Sequence, residues 1–205
     1  YPNIIRFVDG SPVFVNVMEE EGFQYLPEMI EEKLNPQVKG IIINSPSNPT
    51  GTLTNAEVLR EIDDFTSSHG AFWLSDEIYH GLVYEGQEHS ILEFTDHAFV
   101  LNGFSKLFAM TGLRLGYVIA PPAVINEARK VHDFLTVGAA APLQEAGVTA
   151  LSDPDRHASP GAERRHSLPS AFTAETNTGE TNTLPEFIRS RLRPVIEVGY
   201  PPKEE

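Results

Sequence analysis

The sequence predicts an α/β fold over residues 1–150: a mostly parallel sheet covered by helices. Three observations carry this. Short apolar runs alternate with amphipathic segments along the first 150 residues. One of the runs, GIIIN (40–44), is apolar without interruption, the pattern of a strand covered on both faces. The resulting order, β-α-β-α-β, is that of parallel strands joined by helical crossovers.

Taken in order, VFVNVM (13–18) reads as a strand and LPEMIEEKLN (26–35) as a helix with Pro27 in its first turn. After the strand GIIIN, Thr54-Asn55-Ala56-Glu57 matches a capping box in which Thr54 and Glu57 satisfy free N–H groups. Val58, Leu59, Ile62 and Phe65 follow at helical spacing, and Gly70 supplies a stop. AFWLSD (71–76), AFVLNGF (98–104) and LRLGYVIA (113–120) are three further strands. A helix from about Pro122 to Leu135 places Val124, Ala128, Val131 and Leu135 on one face. The character changes after about residue 150. Residues 151–205 hold 7 of the 16 prolines and the aperiodic polar tract AETNTGETNT, so this part reads as an irregular or disordered tail. Within it only LPEFIRSRL (184–192) has the makings of a short helix.

Composition narrows the function. A formal charge of −14 repels phosphate backbones and anionic lipid, so nucleic-acid and membrane partners are not expected, although a local basic pocket for one small phosphate is compatible with it. No apolar run approaches the roughly eighteen residues that would cross a bilayer. There are no cysteines, which excludes disulfides and thiolate metal sites and is compatible with a cytoplasmic location. The seven histidines are scattered without metal-ligand spacing, so no metal site is expected; His69 and His80 read as surface or packing residues.

Ligands in open α/β sheets bind beyond the carboxyl ends of the strands. Three strand ends carry polar residues: Asn48 in SPSNPTG after the strand 40–44, Asp76 with Tyr79 after the strand 71–76, and Ser105-Lys106 after the strand 98–104. Singly, each has a structural explanation: a Pro/Asn/Gly turn, a helix cap, an exposed loop lysine. Arg114, similarly, could pair with an acid of this acidic chain.

As an ordered set, NSPSNPTG (44–51), SDEIYHGLVY (75–84) and NGFSKLFAMTGLRLGY (102–117) resemble the pyridoxal-phosphate-dependent aminotransferases of fold type I, the class I/II group similar to aspartate aminotransferase. The resemblance covers roughly residues 1–150, a partial cofactor-binding large domain. It implies pyridoxal 5'-phosphate as cofactor and amino-group transfer between an amino acid and a 2-oxo acid. Lys106 matches the lysine linked to the cofactor aldehyde, and Asp76 the carboxylate paired with the ring nitrogen. Asn48 and Tyr79 match the groups that hydrogen-bond the phenolic oxygen, and Ser105 and Arg114 match two phosphate ligands. Asn48–Pro49 is a candidate cis bond. Lys106, Asp76 and Tyr79 are thus the expected catalytic residues.

Relatives have an upstream phosphate-binding loop, a ring-stacking aromatic and an N-terminal arm, so the chain is expected to be truncated ahead of YPNIIRF (1–7), leaving VFVNVM without one neighbouring strand. Residues 151–205 match nothing in the family's small domain, and Arg189, Arg191 and Arg193 receive no role. Relatives work as homodimers. Two other readings share the motifs: a carbon–sulfur lyase of the same fold, and a non-catalytic remnant.

Overall fold

A computed structural model describes residues 1–152 and the strand Ile196–Gly199. These residues form two compact units. The first is built from residues 1–77, 86–100 and Ile196–Gly199, the second from residues 78–85 and 101–152.

The first unit is organised by parallel strands. β1 (Phe14–Asn16), β2 (Gly40–Asn44), β3 (Phe72–Asp76), the opening of β4 (Ala98–Gly103) and β6 (Ile196–Gly199) lie in the order β1-β6-β2-β3-β4. β2 and β3 are parallel, with Gly40 beside Phe72 and Asn44 beside Asp76. Ile41, Ile42 and Ile43 are all buried, which explains the unbroken apolar run: both faces of β2 are covered. Each such side chain contributes about 1.5–3 kcal/mol on burial.

Two short helices, α1 (Pro2–Phe7) and α2 (Pro27–Glu31), and the longer α3 (Ala56–Ser68) complete this unit. α2 is shorter than the run 26–35 suggests; beyond Glu32 the chain turns, with Leu34 N–H bonded to the carbonyl of Glu31 and Val38 N–H to that of Asn35. α3 buries Leu59, Ile62 and Thr66, and Trp73 Nε1 on β3 donates to Asp63 Oδ1 on α3 at 2.9 Å. Its cap differs from the expected box. Asn55 is the N-cap, accepting from Val58 N–H at 2.9 Å. Thr54 is buried instead, its N–H spent on Ser45 Oγ at 3.0 Å. Both residue types cap helices well, and a long-range bond chose between them.

β6 is the element the sequence conceals. It lies inside the stretch read as irregular, yet it is a strand between β1 and β2, parallel to both. Val15 is in register with Val198 and Ile41 with Ile196. β1 therefore has a neighbour on the side where none was expected. A four-residue strand has no periodicity to announce it, and its partners lie at the other end of the chain. The candidate helix 184–192 falls outside the described residues.

In the second unit the end of β4 lies beside β5 (Gly116–Ile119), and α4 (Pro122–Thr136) and α5 (Ala141–Leu151) follow. Phe104, Phe108, Leu113, Leu115, Leu143 and Ala150 form its core. The strand expected over 113–120 starts later, because Thr111–Leu113 is a 3-10 turn and Arg114 is left-handed at φ 53°. On α4 the buried residues are Ile125 and Ala128, whereas Leu135 is 65% exposed, so the expected apolar face does not extend to the helix end. α5 carries Leu143, Gly147 and Ala150 on its buried side. A Cβ at Gly147 would come within 2.9 Å of both Leu115 and Phe104, so glycine permits this close approach.

Replacing Asn55 with alanine is expected to lower stability by about 1 kcal/mol, as loss of a helix cap does. Urea denaturation of Asn55→Ala beside wild type checks this. A cost well below about 1 kcal/mol would return the cap to Thr54.

Candidate functional site

Each unit contributes some of the expected residues. Asn48 and Asp76 lie in the first unit; Tyr79, Ser105, Lys106 and Arg114 lie in the second.

In the first unit, β2 ends at Asn44 and the chain enters a tight turn. Gly51 N–H donates to the Ser47 carbonyl at 2.7 Å and Ser47 N–H to that of Thr52 at 2.9 Å. Gly51 has φ 73°, a conformation that glycine adopts freely. Asn48–Pro49 is cis, as is Ser45–Pro46. The turn exposes Asn48. Asp76, half-buried, ends β3, and the Tyr1 hydroxyl donates to its Oδ2.

Two side chains hold these positions. Asn44 Nδ2 donates to the Asp76 carbonyl at 2.9 Å, while Asn44 Oδ1 accepts from Asn48 N–H at 2.8 Å. Glu77 is buried, and its Oε1 accepts from Ser75 Oγ, Ser90 Oγ and Ile91 N–H at 2.9–3.1 Å. It thereby ties the end of β3 to the 3-10 turn Ile91–Glu93, whose own cap is Ser90. The sequence reading passed over both residues. Each stands next to a motif residue, and their role depends on partners that spacing does not reveal.

In the second unit, β4 runs into a turn closed by Met110 N–H on the Phe104 carbonyl and Ala109 N–H on the Lys106 carbonyl, both at 3.0 Å. Lys106 is exposed on that turn, with Nζ 5.3 Å from the centroid of the Tyr79 ring, within cation–π range. Thr111 Oγ1 donates to the Ser105 carbonyl at 2.7 Å, and Arg114 NH1 donates to the Thr111 carbonyl at 2.9 Å. Ser105 and Arg114 are thus joined through Thr111, and the guanidinium keeps further N–H groups for an anion. Gly103 lies against the backbone of Gly116, where a Cβ would sit 2.9 Å from the Gly116 Cα.

The donor chemistry fits pyridoxal 5'-phosphate. The turns after β4 carry a primary amine beside a phenol, and a serine joined through Thr111 to an arginine, residue types that suit a phosphate. The first unit supplies a carboxylate and an amide held by one side chain. Among the described residues there is no cluster of three or more metal-ligating side chains, and no helix is long and apolar enough to cross a membrane.

Glu77→Ala would strip three donors of their acceptor, two of them buried, at a cost of about 3 kcal/mol in all. Glu77→Gln keeps an acceptor and is expected to lose less. Urea titrations of both variants check the order, and equal losses would show that the carboxylate's bonds are not what holds this turn.

Comparison with known proteins agrees with the donor chemistry. A family model described as "Aminotransferase class I and II" matches residues 1–174, past the expected boundary near residue 150. The chain is 39% identical over 154 residues to a probable aspartate/prephenate aminotransferase of Thermus aquaticus, covering 75% of this chain and 40% of that protein. It is 41% identical over 154 residues to a (5-formylfuran-3-yl)methyl phosphate transaminase of Methanocaldococcus jannaschii, covering 74% and 38%. Among solved structures, the aspartate aminotransferase of Thermus thermophilus with maleate superposes with a TM-score of 0.65 and 39% identity, over 66% of this chain and 36% of that one. The chain spans about two fifths of the length of these relatives.

Proposed function

Because the chain belongs to the class I and II aminotransferase family, whose enzymes depend on pyridoxal 5'-phosphate, we propose that it is the catalytic core of an aminotransferase moving an amino group between an amino acid and a 2-oxo acid. The observation that carries this reading is the turn after β4, where Lys106 lies beside the Tyr79 ring and Ser105 is linked through Thr111 to Arg114.

The roles follow from residue chemistry. When bound, the cofactor supplies an electron sink for charge developing at the substrate α-carbon. Lys106 Nζ would take the proton from the substrate α-carbon and hold it for return, the general acid–base step. The Asp76 carboxylate holds a proton on the ring nitrogen by its negative charge, which an amide of the same shape would not do. Asn48 and the Tyr79 hydroxyl donate to the phenolic oxygen. Ser105 and Arg114 grip the phosphate, the arginine through charge-assisted bonds, and so fix the ring relative to Lys106.

Arg114 bears the conformational cost of that grip. A side chain in the left-handed region costs roughly 1–2 kcal/mol, and such strain concentrates where function demands a residue type. Arg114→Gly is therefore expected to keep or raise stability in a thermal melt while weakening cofactor binding at least about tenfold, the loss of a charged hydrogen bond. A variant that binds the cofactor as wild type does would remove Arg114 from the phosphate site.

Aspartate appears in the names of several relatives, so it is the donor to test first. A homodimer and a cytoplasmic setting in amino-acid metabolism belong to the same proposal. The test is to mix the 205-residue chain with pyridoxal phosphate and record its visible absorption. A band that survives gel filtration and vanishes in Lys106→Ala is expected. With aspartate and 2-oxoglutarate, glutamate should then form, about 10²-fold or more slowly in Asp76→Asn. Absence of the band in folded protein would sink the reading in favour of a remnant, and release of ammonia and pyruvate from a β-substituted amino acid would favour the lyase.

A further inference from the structure

We infer that Asn44 is a positioning residue, whose side-chain amide sets the separation between the turn that carries Asn48 and the strand end that carries Asp76. This rests on the reading above of Asn48 and Asp76 as cofactor contacts. The residue itself touches neither reacting group; it acts through backbone.

Asn44 closes β2 in register with Asp76, the last residue of β3. Past this rung the two strands have no further ladder bonds, and the chain after β2 must turn away. The Asp76 carbonyl at this point receives two donors, Ser45 N–H at 3.2 Å and Asn44 Nδ2 at 2.9 Å. The other end of the same amide, Oδ1, accepts from Asn48 N–H at 2.8 Å. A single planar group of fixed dimensions therefore joins the backbone of Asp76 to the backbone of Asn48. Both bonds have ordinary N–H···O lengths.

Only asparagine meets these demands from this position. The site needs a donor and an acceptor on a one-carbon stem. Aspartate would turn an acceptor toward the Asp76 carbonyl, alanine offers neither group, and glutamine adds a methylene. The amide orientation is unambiguous, since reversing it would set oxygen against carbonyl and N–H₂ against N–H. The backbone of Asn44 is held separately, by the buried Tyr25, whose hydroxyl donates to the Asn44 carbonyl at 2.9 Å. Tyr25→Phe therefore serves as a control that weakens the end of β2 without touching the amide bridge.

The first measurement uses wild type alone, without cofactor: scalar coupling across the hydrogen bond from Asn48 N–H to the Asn44 side-chain carbonyl, read by NMR. Its presence is expected, and its absence in folded protein overturns the bridge. In Asn44→Ala, exchange of the Asn48 amide hydrogen should rise about tenfold or more, the equivalent of one lost hydrogen bond, whereas Asn44→Asp keeps that acceptor, loses only the donor to the Asp76 carbonyl, and should leave the Asn48 amide protected. With pyridoxal phosphate bound, the midpoint of the pH titration of its visible band should move up in both variants. The sign follows because a hydrogen bond to the phenolic oxygen favours its charged form, and a displaced Asn48 donates less well. Tyr25→Phe should lower stability and leave both readouts where they are. An unchanged midpoint in the Asn44 variants, or an equal shift in Tyr25→Phe, overturns the positioning role. If wild type shows coupling but no cofactor band, the functional reading fails and takes the positioning role with it, while the bridge stands.

Discussion

Parallel pairing of β2 with β3, with Asn44 set beside Asp76, is the constraint from which the first unit's part of the site follows. Burial of Ile41, Ile42 and Ile43 on one strand and of Trp73 and Leu74 on the other makes the register costly to change. A slip of one residue would turn every side chain to the opposite face. With the register held, Asn44 and Asp76 end their strands side by side, and the polar bonds beyond the last rung fall into place. The apolar core and the polar strand ends are two outcomes of one alignment.

The second unit reaches its geometry by another route. Its turn after β4 is held by close backbone approach and by backbone conformations that side-chain residues seldom adopt. Gly103 meets Gly116 where no Cβ would fit, and Ala109 and Arg114 both have positive φ. Phe104, Phe108 and Leu113 pack around the same turn as part of a buried cluster. Apolar packing of this kind is what maintains a strained loop, because releasing the strain would expose the core. An acidic chain in this way carries Lys106 and Arg114 on successive turns after β4.

β6 shows the reach of backbone hydrogen bonding. A strand flanked by two parallel partners satisfies its amides on both sides and those of its neighbours. Without it, β1 and β2 would present facing open edges. Four residues near the far end of the chain thus lie between two strands drawn from its first 44 residues.

The sequence by itself determined the alternation of strands and helices, the buried character of β2, and the identities of Asn48, Asp76, Tyr79, Ser105, Lys106 and Arg114 as an ordered set. These depend on short-range patterns: apolar periodicity, turn formers, and the spacing of chemistry within motifs. Tertiary structure alone decided that Asn55 and not Thr54 caps α3, that Arg114 is left-handed and shortens β5, that β6 enters beside β1, and that Asn44 and Glu77 hold the strand ends. The cap, the strand and the two side chains at the strand ends rest on partners elsewhere along the chain: Ser45 for Thr54, Glu197 for Phe14, Asp76 for Asn44, Ile91 for Glu77. A hydrogen bond of that kind is set by where folding brings two groups together, and no local pattern encodes it.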